Sequence, residues 1–231
     1  MVKRGADFKL IDIQTETETV DGLEYYDNGG TSMAVTRDTI VKIQLSEADM
    51  HICTENAQIL CETMTDRRDL HARGYMERFI DILMGEAAEA AVIKWLLQNR
   101  KYAVSAVNKR SGNPDLGHDI ILKDIRGTEI KCSVKSSLSV YKSTIDDILD
   151  TFTVATKASE LRKVNIQVYY WLKLKGEPRI TVPTERNMAI IGWIGENDVK
   201  EFGTYSTENR QAPKMKLRDT RPMHSLLEYL V

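Results

Sequence analysis

The chain has 231 residues, enough for one large or two small domains, and 42% of them are hydrophobic, so it can bury a substantial core. Its 32 Lys and Arg against 34 Asp and Glu give a net charge of −2. That excludes a global basic field, and any nucleic-acid surface has to be local. Three cysteines without regular spacing argue against a disulfide scaffold and for a reducing, cytoplasmic compartment. The first residues lack the apolar core of a secretory signal, and no run is long enough to span a bilayer.

Residues 1–44 read as β-rich, with apolar runs at Phe8–Ile13 and 39–45 and a turn at Asp27-Asn28-Gly29-Gly30. This segment suits an edge hairpin, a contact in a homodimer, or an autoinhibitory flap. A helix follows from Ser46, where Ser46 and Asp49 form a capping box. Cys53 and Cys61 fall on its buried face. Residues 1–72 together form an N-terminal extension of hairpin plus helix.

Gly74 breaks the chain, and residues 75–99 predict a long helix with Phe79, Ile82, Leu83, Ala90, Ile93 and Leu97 as its apolar stripe. Glu86 and Glu89 lie three apart on one side, within the small-residue run GEAAEAA. A glutamate among alanines and then bulky apolar residues is partly buried, and a buried carboxylate needs a metal or a cation.

A strand at 102–107 and a polar loop at 108–118 lead into the most informative stretch, 112–135. Asp119-Ile120-Ile121-Leu122 reads as a strand, Gly127 as the turn, and 128–135 as a strand of strict alternation. Thr128, Ile130, Cys132 and Val134 fall on one face; Glu129, Lys131, Ser133 and Lys135 fall on the other. A short turn would bring Asp119 close to Glu129. Two carboxylates and an ammonium suit phosphodiester hydrolysis. Hard oxygen ligands hold Mg²⁺, and a lysine orients the attacking water or stabilises the developing charge.

Pro114-Asp115, Asp119 and Glu129-Ile130-Lys131 resemble the PD…(D/E)xK signature of the restriction-endonuclease-like nuclease superfamily. The order of elements over about residues 75–195 is similar too: helix, three-stranded meander, crossover helix, further strand. The resemblance implies an α/β fold with a central mixed sheet flanked by helices, and a Mg²⁺-dependent endonuclease acting on DNA, with Mn²⁺ able to substitute. It implies Asp119 and Glu129 as metal ligands, Lys131 as the lysine assisting water, and Glu89 (or Glu86) as the helix ligand. Asp115 competes with Asp119: the family writes its acid after Pro, whereas the strand geometry favours Asp119. Lys109, Arg110, Ser111, Asn113, Lys135 and Ser136 are where backbone phosphates of DNA would lie. A catalytically silent DNA-binding or assembly module is the reading from another class.

Downstream, a helix over 144–156, strands over 164–174 and 188–194, and a short helix from Glu196 complete an α/β layer. Trp171 and Trp193 read as core. Residues 203–222 form a basic loop suited to phosphate contacts, and 223–230 a terminal helix. Residues 73–231 thus make up the expected core domain.

Overall fold

The computed structural model describes residues 34–63, 74–109, 117–140, 142–178, 183–205 and 210–231. The expected run Phe8–Ile13 and the 27–30 turn lie outside them. The architecture is α/β, a five-stranded mixed sheet flanked by helices, in the strand order β1-β2-β3-β4-β5. The strands are β1 (Ala103–Ser105), β2 (Ile120–Lys123), β3 (Glu129–Ser139), β4 (Val164–Trp171) and β5 (Met188–Ile194). Only β3 and β4 pair in parallel, in the register Cys132↔Val164 to Ser139↔Trp171; the other neighbours are antiparallel. Helix α3 (Ile145–Thr151) lies in the connection that the parallel pair requires.

Helix α1 (Glu47–Thr63) begins at the expected box. The Ser46 amide donates to the Asp49 carboxylate at 2.8 Å and the Asp49 amide to the Ser46 hydroxyl at 3.1 Å. Asp49 also takes Lys94 of helix α2 (Tyr75–Gln98) at 2.7 Å, which ties the two helices together. On α2 the buried face is Leu83, Ala87, Ala88, Ala91, Val92, Trp95 and Leu96, and Leu97 is exposed. The expected stripe is therefore rotated. The alanines bring the helix axis close to the sheet, and the bulky residues expected at the seam fall to its edges.

Alternation sorts the sheet into two cores. Ile120, Leu122, Ile130, Cys132, Ile166, Val168 and Tyr170 pack under α2. Tyr169, Trp171, Ala189 and Ile191 pack under α3. Trp171 and Trp193 are buried, as expected of core residues. Cys53 and Cys61 are buried too, and burial pushes the Cys53 thiol up to about 12.

Several expected bounds change. Residues 39–45 make one bridge, Val41 to Ile190, rather than a strand, although Val41, Ile43 and Leu45 still alternate into the core. The second hairpin strand runs four residues past its expected end. The crossover helix stops at Thr151, five residues short of its expected end. The expected loop 203–222 overlaps a second small sheet, β6 (Phe202–Tyr205) with β7 (Arg210–Pro213). The C-terminal helix is a single turn, α4 (Met223–Leu226), followed by a 3-10 turn. Met223, Leu226 and Leu230 dock it on the α2 core.

Candidate functional site

The β2–β3 turn decides which acids and lysines meet. Asp124 accepts the amides of Arg126 and Thr128, each at 2.8 Å, and Gly127 takes φ +82, a left-handed conformation that favours glycine. The turn therefore occupies 124–128, and the ladder opens with Lys123↔Glu129, followed by Ile121↔Lys131 and Ile120↔Cys132. Asp119 precedes the whole of β2, four residues from Lys123, or roughly 14 Å along the strand. Glu129 and Lys131 are exposed near the turn, on the face away from α2. The expected approach of Asp119 to Glu129 is thus not what the register produces, whereas Lys131 pairs with Ile121, two residues along from Asp119 on the same face. The turn is as short as the sequence suggests, but Asp119 lies opposite the middle of β3 rather than its start.

Around Asp119 the arrangement is different. Its amide donates to the Cys132 carbonyl at 2.9 Å, and its carboxylate accepts the Val134 amide at 2.7 Å. Lys135 is the next residue of β3, and its ammonium sits 2.8 Å from Glu160. Burial of Glu160 works to raise its pKa. The Lys135 hydrogen bond, with the charges of Lys135, Lys163 and Lys157, outweighs burial and holds Glu160 below its usual range. Both Asp119 and Lys135 are felt at the buried Cys132 thiol, which burial pushes up, Asp119 pushes further up and Lys135 draws down.

Behind Lys135 lies a polar pair buried in β4. Asn165 and Gln167 stand beside Ser133 and Lys135 in the parallel register. Gln167 accepts the Ala155 amide at 2.9 Å and donates to the Thr156 hydroxyl at 3.2 Å. Asn165 donates to the Glu160 and Lys163 carbonyls at 3.0 and 2.8 Å, which fixes the turn that carries Glu160. Lys163 in turn reaches the Gly117 carbonyl, just before Asp119. Sequence reasoning passed over this set. The available signal was two amides spaced two apart in the otherwise apolar, aromatic run VNIQVYYW.

On the α2 face, at the same end of β2, Glu86 and Glu89 are both buried at 8% exposure. They share one cation, the Lys109 ammonium, at 2.6 and 2.9 Å. Asn56 of α1 donates to the second Glu86 oxygen at 3.0 Å. Burial pushes Glu89 up; Lys109 draws it back in part, and a hydrogen bond from Ser105 helps. Burial works against the Lys109 ammonium too, but Glu89 and Glu86 outweigh it and hold its pKa above the usual lysine value. Ser105 pairs with Ile120, and the Ala106 amide donates to the Asp119 carbonyl at 2.9 Å, so the glutamates stand at the end of the sheet where Asp119 begins.

Glu89 and Glu86 are therefore both engaged, as partners of one lysine rather than as alternatives. Lys109 and Lys135, expected at backbone phosphates, each face carboxylates here; Ser136 is half-buried on β3. Arg110, Ser111, Asn113 and Asp115 lie outside the described residues. Among the described residues no three His, Cys, Asp or Glu side chains gather closely enough to form a ready metal cage. Two cations of the basic 203–222 region are committed to structure: Arg218 pairs with Asp146 and Asp150, and Arg221 with Asp198 while stacking on Trp193. No helix of the described residues is long and apolar enough to cross a membrane. Compared with protein-family models, curated proteins and solved structures, the chain matches none.

Proposed function

We propose that this protein is a metal-dependent endonuclease of the restriction-endonuclease-like kind, hydrolysing DNA phosphodiester bonds at the end of the sheet where β2 begins. The observation that carries the reading is the buried Glu86–Glu89 pair, one helical turn apart, holding a single cation beside the strand that starts at Asp119. Two carboxylates withdrawn from water cannot both stay charged without a positive partner. Oxygen donors of this kind suit a hard divalent ion such as Mg²⁺ or Mn²⁺, so the donor set fits that ion. When bound, Mg²⁺ supplies Lewis acidity toward a phosphate oxygen.

The remaining roles belong to the chain itself. Lys135 takes the part that the resemblance gives to Lys131: it orients the attacking water and stabilises the charge developing on the phosphate. Glu160 positions the Lys135 ammonium, and the Asn165–Gln167–Thr156 network holds the Glu160 turn. Asp119, fixed by the Val134 amide, stands on the Lys135 face at the same end of the sheet. DNA as the substrate rests on the sequence resemblance and on the matching order of elements.

A second reading is favoured by one observation. Lys109 already balances Glu86 and Glu89, and Lys135 balances Glu160, so the same groups could serve a catalytically silent DNA-binding or assembly module. Nicking of supercoiled plasmid in Mg²⁺ separates the two. The nuclease reading expects cleavage by the wild type, and a loss of about 10²-fold or more in Glu89→Gln. An intact plasmid with well-folded wild-type protein would leave the silent module.

A further inference from the structure

On the α3 side of the molecule a pocket of about 280 Å³ opens between residues 37–42, the turn entering α3 and the turn after β4. Its polar wall is Arg37, Lys42, Lys175, Ser143 and Glu177. The frame is fixed. The Lys175 amide donates to the Ser143 carbonyl at 3.1 Å, joining the two turns, and Arg37 is held by Asp146 at 2.8 Å. Glu177 is turned to another task, accepting from the Trp171 indole at 2.7 Å and the Leu174 amide at 3.3 Å. Among the described residues, neither Lys42 nor Lys175 has an ion-pair partner. With Arg37 met by Asp146, the three cations and two carboxylates at this wall leave a charge of +1, carried by Lys42 and Lys175, in a chain whose net charge is −2.

We infer that this pocket binds a phosphate group. Like charges gathered around a concave wall are unfavourable without an anion to meet them. A forked guanidinium beside two compact ammonium groups and a serine hydroxyl suits a tetrahedral, multiply charged oxyanion better than a planar carboxylate. The volume lies just below the usual range of ligand pockets, which fits one anionic group rather than a large organic ligand. The pocket is separate from the Lys135 site. Lys135 lies four residues before the end of β3, roughly 13 Å along the strand, and Ser143 lies four residues beyond that end. The inference does not rest on the nuclease reading. The phosphate can come from a nucleic-acid backbone passing over this face or from a small phosphorylated ligand, and the two sources give different results below.

The test is calorimetry on the full chain with inorganic phosphate and, separately, with a short DNA duplex in EDTA. Wild type is compared with Lys42→Glu/Lys175→Glu, with the milder Lys42→Gln/Lys175→Gln, and with Lys173→Glu as a nearby control outside the pocket; melting curves confirm that each is folded. If a small ligand is the source, wild type and control bind inorganic phosphate, and both pocket variants bind it about tenfold or more weakly with duplex binding unchanged. If a backbone is the source, duplex binding weakens by a similar factor in the pocket variants, and the log–log salt slope falls by about two. Equal behaviour of wild type and both pocket variants toward phosphate and toward duplex would overturn the inference, as would an equal loss in the Lys173→Glu control.

Discussion

At the turn end of the β2–β3 hairpin, Glu129 and Lys131 are exposed two residues apart, and none of the described residues buries them. At the other end, Asp119 and Lys135 carry the same kinds of charge, yet each is fixed: Asp119 by the Val134 amide, Lys135 by Glu160, and Glu160 by a buried amide network. An acid and a lysine at alternate strand positions are common on any exposed face. Desolvated charges whose partners are in turn held by buried amides are not, because each such group costs free energy unless it is satisfied. The contrast locates the candidate chemistry by register and burial rather than by spacing.

The largest effect expected from breaking the fixed end comes from Lys109→Ala. It leaves Glu86 and Glu89 buried and without their cation, which should cost about 3–5 kcal/mol in denaturant melts. Millimolar Mg²⁺ or Mn²⁺ should restore part of that loss, if the pair accepts a divalent ion. The pH dependence follows from the raised Lys109 pKa. Its contribution is fully present below the ordinary lysine value of 10.5 and is lost as pH rises through the higher folded value. Wild type should therefore lose stability in the alkaline range, and Lys109→Ala should lack that limb. Equal stability of wild type and variant at neutral pH would show that the glutamates are not electrostatically coupled to Lys109.

Next in size is the contrast between neighbours on β3. Ile130 is buried under α2, and Ile130→Ala should cost roughly 2–5 kcal/mol. Lys131, on the open face, should change stability by no more than about 0.5 kcal/mol when cut to Ala. A large loss from Lys131→Ala would mean that the open face is covered. Smaller still is Asp124→Ala, which removes the acceptor for two turn amides and should cost about 1 kcal/mol by thermal melting. No loss there would leave the 124–128 turn, and the register that depends on it, without its proposed anchor.

Much of the architecture was legible in the chain. The Ser46–Asp49 box, the alternation of 128–135 and the apolar runs of β4 and β5 each carry a local signal that tertiary packing only confirms. The α2 stripe differs from its expected line because the alanines at 87, 88 and 91, rather than Leu97, are what this closely packed helix turns to the sheet. The site was harder to read. Glu86 and Glu89 are legible as buried acids, but Lys109, twenty residues from Glu89, reads as a phosphate contact because sequence separation hides which loop returns to the helix. The E-x-K resemblance points to Lys131, and only the Asp119 contact with the Val134 amide and the Lys135–Glu160 pair, both long-range in sequence, draw attention to Lys135 on the same face. Glu160 stands in a short 3-10 turn without any periodic pattern.

The most direct test of the account is the rate of Mg²⁺-dependent plasmid nicking by Lys135→Ala and Lys131→Ala, measured beside wild type after both variants are shown to be folded. The account predicts that Lys135→Ala loses about 10²–10⁴-fold while Lys131→Ala cuts at the wild-type rate. Loss of cleavage in Lys131→Ala with activity retained in Lys135→Ala would contradict it, and would return the chemistry to the exposed end of the hairpin.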